Sequence, residues 1–353
     1  MAPATVELPV QIIEAVESPQ LVATLKVQGQ AVRPVAWSPD GKTLAGVVFG
    51  EKSVIKLWDA AARKERATLP CDLGPSFGLA FTPDNKTLLV SHHQNDPRAG
   101  PTGGISLWDV ATGKRTSLMQ ETPSRGVARI ALSPDGKVLA AIERYQVIDK
   151  QVSELTFRDF ATGKIEGSIE ESIGSGLTFS PDGKTIVAST ILYEGNKWLG
   201  SKVRRWETAS GEEISSLPNP ASKAPCNSLA FSPDGSILAG ADFEGNIILW
   251  ESSTGKVRTS IKQEDQRRIT SLAFSPDGKT LAAGMAERPG RDHDPGLIVL
   301  WDPVTGKERL TLTGHTNGVA SIAFSPDGKL LASGGADRTV RLWDMTTEAT
   351  KAR

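Results

Sequence analysis

The sequence predicts an all-β fold of seven like units sharing one closed core, and three observations carry that expectation. A phrase, Ser-Pro-Asp-Gly-Lys, occurs seven times, at Ser38–Lys42, Thr82–Lys86, Ser133–Lys137, Ser180–Lys184, Ser232–Ser236, Ser275–Lys279 and Ser325–Lys329, with small departures in the second and fifth copies. The copies start 44, 51, 47, 52, 43 and 50 residues apart, a period that marks a repeat architecture. Between them run short apolar segments bounded by turn residues, which read as strands.

The phrase is turn chemistry. Proline pre-sets φ at the second position, Ser and Asp bond back to the local backbone, and Gly accepts φ > 0. The one copy without Gly has Asn85 there, the residue that next best tolerates the left-handed region. Each phrase therefore joins two strands as a hairpin. In each unit one strand ends at the phrase (Val35-Ala36-Trp37) and a second follows it (Thr43 to Val48). A third ends in Trp-Asp or a relative, and a second turn such as Ala111-Thr112-Gly113-Lys114 leads to a fourth, such as Arg309 to Leu312.

The third-strand endings are Trp58-Asp59, Trp108-Asp109, Arg158-Asp159, Trp206-Glu207, Trp250-Glu251, Trp301-Asp302 and Trp343-Asp344. With these in phase, residues 20–344 resemble the WD-repeat (Trp-Asp repeat) β-propellers, with bacterial-style repeats. The resemblance implies seven four-stranded antiparallel blades around an axis. It also implies a buried hydrogen-bond chain, which maps by position onto Trp343, Ser333, His315 and Asp337; an indole N–H inside a blade needs an acceptor. The other units lack the Gly314-His315 pair, and the third has Arg158 for Trp, so those blades are expected to rely more on apolar packing.

Strand counting predicts how the ring closes. After Asp344 only nine residues remain, with no apolar run for a fourth strand, whereas Leu21 to Val27 is a strand without a unit. Residues 20–28 are therefore expected to be the outer strand of the last blade, removing an exposed edge. The organisation is an arm at 1–19, a propeller at 20–344 and a tail at 345–353. Blade cores fall at about 31–70, 75–119, 126–170, 174–217, 226–262, 268–312 and 318–344.

Composition narrows the functions. With 40 basic and 41 acidic side chains, there is no general electrostatic pull toward nucleic acid or an acidic membrane. No apolar run approaches the ~18 residues of a membrane span, and Met1 to Gln20 shows no signal-peptide pattern, so a cytoplasmic location is expected. Cys71 and Cys226 read as small buried residues. Gly-Lys-Thr at 41–43, 183–185 and 278–280 lacks the upstream Gly of a phosphate loop and leads into a strand. No motif assembles a nucleophile, base and orienting group, and none implies a cofactor.

Binding is expected on the face opposite the Ser-Pro-Asp-Gly turns, where the strand-two-to-three connections are irregular. The longer ones are Ser91 to Pro101, Glu143 to Lys150, Tyr193 to Leu199 and Glu287 to Pro295. Of eight Trp only Trp198 falls outside the repeat, and the only two Tyr are Tyr145 and Tyr193. Tyr, Trp and Arg are enriched at interface hot spots. Tyr145, Tyr193 and Trp198, with Arg144 and Lys197, are the candidate partner-binding residues; the competing reading has the rings packed down on their own loops. His92-His93 with Asp96 and Asp292-His293-Asp294 have metal-ligand side chains, but adjacent loop residues rarely converge on one ion, and no metal site is expected. Arg267-Arg268 could serve an acidic partner. The expected function is that of a monomeric, non-enzymatic scaffold for proteins or peptides. The alternatives are a small-ligand or metal-binding propeller, with or without enzymatic activity, that uses its central channel, and the docking or sensor domain of a longer protein.

Overall fold

A computed structural model describes residues 21–71, 78–96, 100–122, 125–147, 150–194, 197–219, 223–263, 267–288 and 294–346. The arm at 1–19 and most of the tail lie outside them. Twenty-eight strands, numbered in chain order, form seven four-stranded antiparallel sheets among the described residues. The first, β1 (Leu21–Lys26), belongs to the last sheet. Blade 1 is β2 (Ala31–Trp37), β3 (Thr43–Phe49), β4 (Val54–Asp59) and β5 (Lys64–Pro70). Blade 2 is β6 (Gly78–Phe81), β7 (Thr87–Asp96), β8 (Gly100–Asp109) and β9 (Arg115–Thr122). Blade 3 is β10 (Arg125–Leu132), β11 (Val138–Val147), β12 (Lys150–Asp159) and β13 (Ile165–Ile169). Blade 4 is β14 (Ile173–Phe179), β15 (Thr185–Glu194), β16 (Lys197–Glu207) and β17 (Glu213–Leu217). Blade 5 is β18 (Cys226–Phe231), β19 (Ile237–Asp242), β20 (Asn246–Glu251) and β21 (Val257–Lys262). Blade 6 is β22 (Ile269–Phe274), β23 (Leu281–Met285), β24 (Leu297–Trp301) and β25 (Glu308–Leu312). Blade 7 is β26 (Val319–Phe324), β27 (Leu330–Gly335) and β28 (Thr339–Asp344), with β1 outermost.

The innermost strands β2, β6, β10, β14, β18, β22 and β26 each pack on the next, and β26 packs on β2, so the ring is closed. Closure takes the expected route: β1 pairs antiparallel with β28 from Leu21 opposite Trp343 to Lys26 opposite Thr339. Leu25 is fully buried there. Trp37, which stands where most units have Phe, donates its Nε1–H to Ala323 O across the same seam at 3.0 Å. Serines stitch neighbouring inner strands: Ser228, Ser271 and Ser321 Oγ accept the backbone N–H of Leu272, Ile322 and Val35 at 2.9, 3.3 and 3.2 Å.

The core is seven apolar clusters, each filling the gap between two neighbouring blades. Trp58, Trp108, Trp206, Trp250, Trp301 and Trp343 are at most 2% exposed and bridge these gaps, so the recurrent third-strand Trp is packing first; truncating such a side chain typically costs about 3–5 kcal/mol.

The phrase folds as its chemistry demands. In the first copy Ser38 Oγ–H donates to Asp40 Oδ1 at 2.7 Å, and Asp40 Oδ1 and Ser38 Oγ accept the N–H of Lys42 and Thr43. Gly41 has φ 70° and Asn85 reaches φ 63° at the same position. The turns also touch each other. A Cβ added at Gly41 would lie 3.6 Å from Pro326 Cδ, and one at Gly136 would lie 2.9 Å from Pro83 Cδ. The glycine of one turn therefore packs on the proline of the turn before, and the phrases form a belt around one face.

Three connections expected as loops are strands. In blades 2, 3 and 4 the pairing continues to Asp96 opposite Gly100, Val147 opposite Lys150, and Glu194 opposite Lys197. Where β27 and β28 have 6 residues, β15 has 10 and β16 has 11. At about 3.3 Å per residue, four extra residues carry these ribbons roughly 13 Å beyond the short blades.

Candidate functional site: a hairpin crest and a basic channel mouth

Blades 2 to 4 raise their ribbons on the face opposite the turn belt. On β15–β16, Tyr193 stands directly opposite Trp198, and the register slips there because Leu199 is an extra residue. Gly200, at φ 133°, supplies the backbone geometry of this bulge. Regular alternation would send Trp198 and Leu199 to opposite faces. With the bulge, Tyr193, Trp198 and Leu199 are 55, 46 and 43% exposed, and Lys197 is exposed beside them.

The five candidate residues do not form one group. Tyr193, Lys197 and Trp198 come together at the ribbon tip. Tyr145 lies in β11 opposite Arg125, whose guanidinium carbon sits 4.5 Å from the ring centroid, so this ring is packed on its own blade. Arg144, opposite Gly126, belongs electrostatically to the channel: burial, then Arg144, then Arg33 lower the pKa of Arg129 to about 10.

Glu143, expected in a loop, is in β11 and 1% exposed. Its Oε1 accepts from Arg158 Nη2 at 2.6 Å and from Thr156 Oγ1 at 2.9 Å, while Arg125 Nη1 reaches Oε2 at 3.1 Å. Blade 3 thus replaces the Trp with a buried ion pair, not with more apolar packing. The spacing of Leu139, Ala141 and Glu143 along one strand face was the available signal. In blade 5 Trp250 Nε1–H donates to Pro218 O at 2.8 Å. In blade 2 Trp108 Nε1 and Ser91 Oγ have no partner among the described residues.

In blade 7 the chain of polar groups is continuous. Trp343 Nε1–H donates to Ser333 Oγ at 2.8 Å, and Ser333 Oγ lies 2.7 Å from His315 Nε2. His315 Nδ1 lies 2.9 Å from Asp337 Oδ2, and Asp337 Oδ1 accepts from Thr339 Oγ1 at 2.7 Å. Since Ser333 Oγ accepts from the indole, its own hydrogen goes to Nε2, and Nδ1–H donates to the carboxylate. Burial accordingly holds the His315 pKa low against the pull of Asp337.

His92 and His93 are neighbours on β7 and point to opposite faces. His92 is 3% exposed, and burial, with Arg115 adding to it, lowers its pKa to about 4. Asp292 and His293 lie outside the described residues. Asp294 takes a bidentate pair from Arg288 at 2.5 and 3.1 Å and a third bond from Arg267 at 3.2 Å. Arg267 is 4% exposed and also donates to Pro295 O at 2.8 Å, so it is committed inside the chain and not offered to a partner. Among the described residues no group of three or more His, Cys, Asp or Glu is arranged to hold an ion. Cys71 and Cys226 are both buried, and burial pushes the Cys226 thiol up to about 12.

The second feature is a cavity of about 360 Å³ on the axis, lined by all seven blades. Its walls are the first residues of the inner strands together with Phe243, Glu287 and Ala336 from strand-two-to-three connections, so it opens on the face that carries the ribbons. Among the described residues Arg33, Arg129 and Arg268 line it together with the carboxylate of Glu287, whose Oε1 accepts from Gly318 N at 3.3 Å. No motif marks these arginines, which come from three blades at unrelated positions.

Seven four-stranded sheets closed around a lined axis define a seven-bladed β-propeller. The family model for the WD domain, G-beta repeat, matches residues 19–59, 211–251, 255–302 and 306–344, so the chain carries WD repeats in these four stretches. The matched stretches lie outside 60–210, which holds blades 2 and 3 and the first three strands of blade 4. A WD repeat-containing protein of Synechocystis is 33% identical over 165 residues, 46% of this chain and 40% of that protein. One of Deinococcus radiodurans is 29% identical over 119 residues, 32% of this chain and 44% of that protein. The periodic tryptophan protein 2 of Arabidopsis thaliana is 28% identical over 243 residues, 67% of this chain and 24% of that protein. The chain thus matches less than half the length of each of these relatives. Among the described residues no helix is long and apolar enough to cross a membrane.

Proposed function

We propose that this propeller is a non-enzymatic, monomeric interaction scaffold that engages a protein or peptide through the ribbon crest of blades 2 to 4. WD-repeat propellers commonly serve as protein-interaction scaffolds, and the WD repeats of this chain support that reading. The observation that carries the reading is the tip of β15–β16, where Tyr193, Trp198 and Leu199 are each about half exposed although a bulge is needed to present them together. A clustered apolar patch rimmed by charge marks interaction surfaces, and rigid aromatic anchors lose little entropy on binding. Lys197 adds a charge at the rim. Tyr145 and Arg144 contribute as supports, through the stacked Arg125 and the channel mouth.

The test is affinity capture from the source cell with wild type, a Tyr193→Ala/Trp198→Ala pair and a Val304→Ala control on the turn face, quantified by mass spectrometry. Partners lost by the pair and kept by the control are expected. Equal recovery by the pair refutes the crest as the docking surface.

A further inference from the structure

We propose that Asn317-Gly318 is a self-modification site, at which the chain converts Asn317 to aspartate and isoaspartate with the Glu287 carboxylate as base. The inference is independent of the crest. Of the seven asparagines, Asn317 alone precedes a glycine, and a glycine amide has no side chain to shield its nitrogen from the preceding carboxamide. The pair lies in the connection from β25 to β26, on the face that carries the ribbons, with Asn317 half-buried. The Gly318 N–H is shared: it donates to Asn317 Oδ1 at 2.7 Å and to Glu287 Oε1 at 3.3 Å. A carbonyl bond is about 1.2 Å long, so Asn317 Cγ lies within about 4 Å of the Gly318 nitrogen, close to the separation of a near-attack conformer.

Two anchors hold that geometry. Thr316 N–H donates to Asp337 Oδ2 at 3.0 Å and Ala336 N–H donates to Gly318 O at 2.9 Å, so the main chain is fixed on both sides of Asn317. A Cβ at Gly318 would stand 2.8 Å from Glu287 Oε2 and 3.2 Å from Ala336 Cα; only glycine lets the carboxylate come this close to the amide. Glu287 takes the Gly318 N–H proton, and the freed electron pair of the nitrogen bonds to Asn317 Cγ. The Cγ–Nδ2 bond breaks, Nδ2 takes up that proton and leaves as ammonia, and a five-membered succinimide remains. Water then opens the ring, at Cγ to give aspartate or at the main-chain carbonyl carbon to give isoaspartate. The axial cavity, which Gly318 and Glu287 both line, brings that water to the ring. Either product puts a new carboxylate at the channel mouth beside Glu287, and isoaspartate also adds a main-chain carbon between the two anchors.

The test is ageing of the full chain in mildly alkaline buffer, followed by tryptic digestion and mass spectrometry of the peptide of residues 310–329. Deamidation at Asn317 is expected, ahead of that at Asn227 and Asn246, with part of the product labelled at position 317 by an isoaspartate-specific methyltransferase. Asn317→Gln should lack the mass gain. Glu287→Gln keeps an oxygen to accept from Gly318 but cannot take its proton, and should slow the gain about tenfold or more. The same peptide released before ageing is the unfolded reference, and melting curves check that both variants are folded. A folded chain that keeps Asn317 intact while the free peptide deamidates overturns the proposal, since the anchors then hold the two atoms apart. So does an equal rate in wild type and Glu287→Gln, which traces the reaction to the Asn-Gly pair alone.

Discussion

Blade 3 gives the sharpest test of how a repeat tolerates a charged substitute for its Trp. The perturbation is Arg158→Met. It leaves Glu143, 1% exposed, with the Thr156 hydroxyl and the half-exposed Arg125 guanidinium at 3.1 Å. Stripping one partner from a buried pair costs about 3–5 kcal/mol, and the surviving Arg125 places this case near the lower end, at about 3 kcal/mol. For a chain of 353 residues the unfolding entropy near the midpoint is about 0.7 kcal/mol/K, so the melting temperature should fall by about 4 °C. The double variant Glu143→Met/Arg158→Met removes both charges and fills the space with apolar atoms. It should recover to within about 1 kcal/mol of wild type, because desolvating two ions offsets most of what their attraction returns. The native pair is also imperfect, since Arg158 Nε has no partner among the described residues. The assay is a double-mutant cycle in urea with calorimetric melting of the same four proteins. A double variant as unstable as the single one would show that the carboxylate and guanidinium do not act as a pair, and the account of blade 3 would fail.

Three other outcomes follow from the same contacts. Deleting residues 20–27 removes the fully buried Leu25 and uncovers the β28 edge; a loss of at least the 2–5 kcal/mol of one Leu truncation is expected, and a melting shift under about 1 °C refutes closure by β1. Acid should destabilise the ring in two stages. His92, lowered to about 4 by burial, stays neutral in the folded chain while the unfolded chain takes up a proton near 6.5. Its contribution is therefore complete above that pH and is lost as pH falls toward 4, about 2 kcal/mol of it between pH 7 and 5; His92→Leu should remove that share of the decline in urea titrations at the two pH values. Below pH 4 the turn aspartates protonate. At Asp40, Asp84, Asp135, Asp182, Asp234 and Asp327 the bond from the preceding hydroxyl leads in holding the pKa low, and at Asp277 the turn bonds prevail over burial. Their stabilisation is present above the ordinary carboxylate range and disappears as pH drops through the depressed values. Lastly, Tyr193→Ala/Trp198→Ala should change stability by no more than about 0.5 kcal/mol, as exposed positions do; a larger loss means that the rings serve the fold.

What could be read from the sequence was what is decided locally. Ser38 to Thr43 closes its own bonds, so the turn was legible in every copy, Asn85 included. Strand counting exposed the closure because seven four-stranded blades leave one strand over. The ribbons are harder to read, because a long irregular connection looks like a loop, although Gly195-Asn196 between two strand-like runs is hairpin chemistry in the sequence. The Arg158–Glu143 pair is not legible in the sequence because it depends on how β11 and β12 align, and register is a non-local quantity. The arginines of the channel have no sequence relation at all: Arg33, Arg129 and Arg268 meet only because inner strands from three blades converge on the axis.

The two candidate surfaces share a physical reason for being where they are. A blade buries its side chains against its two neighbours, and every apolar cluster spans one such gap. Neither the ribbon tips nor the guanidiniums at the channel mouth lie in a gap. Lengthening β15 and β16 adds pairs at the free end of a sheet, and replacing a residue at the mouth changes the lining of a cavity, so neither disturbs a cluster. The turn belt has no such freedom, because the glycine of one turn packs on the proline of its neighbour. Selection for binding can therefore act on one face while selection for folding holds the other. This separation makes the substitutions above informative: Tyr193→Ala and Trp198→Ala alter a surface on which the ring does not depend, and a binding loss in a variant that melts like wild type is a statement about function alone.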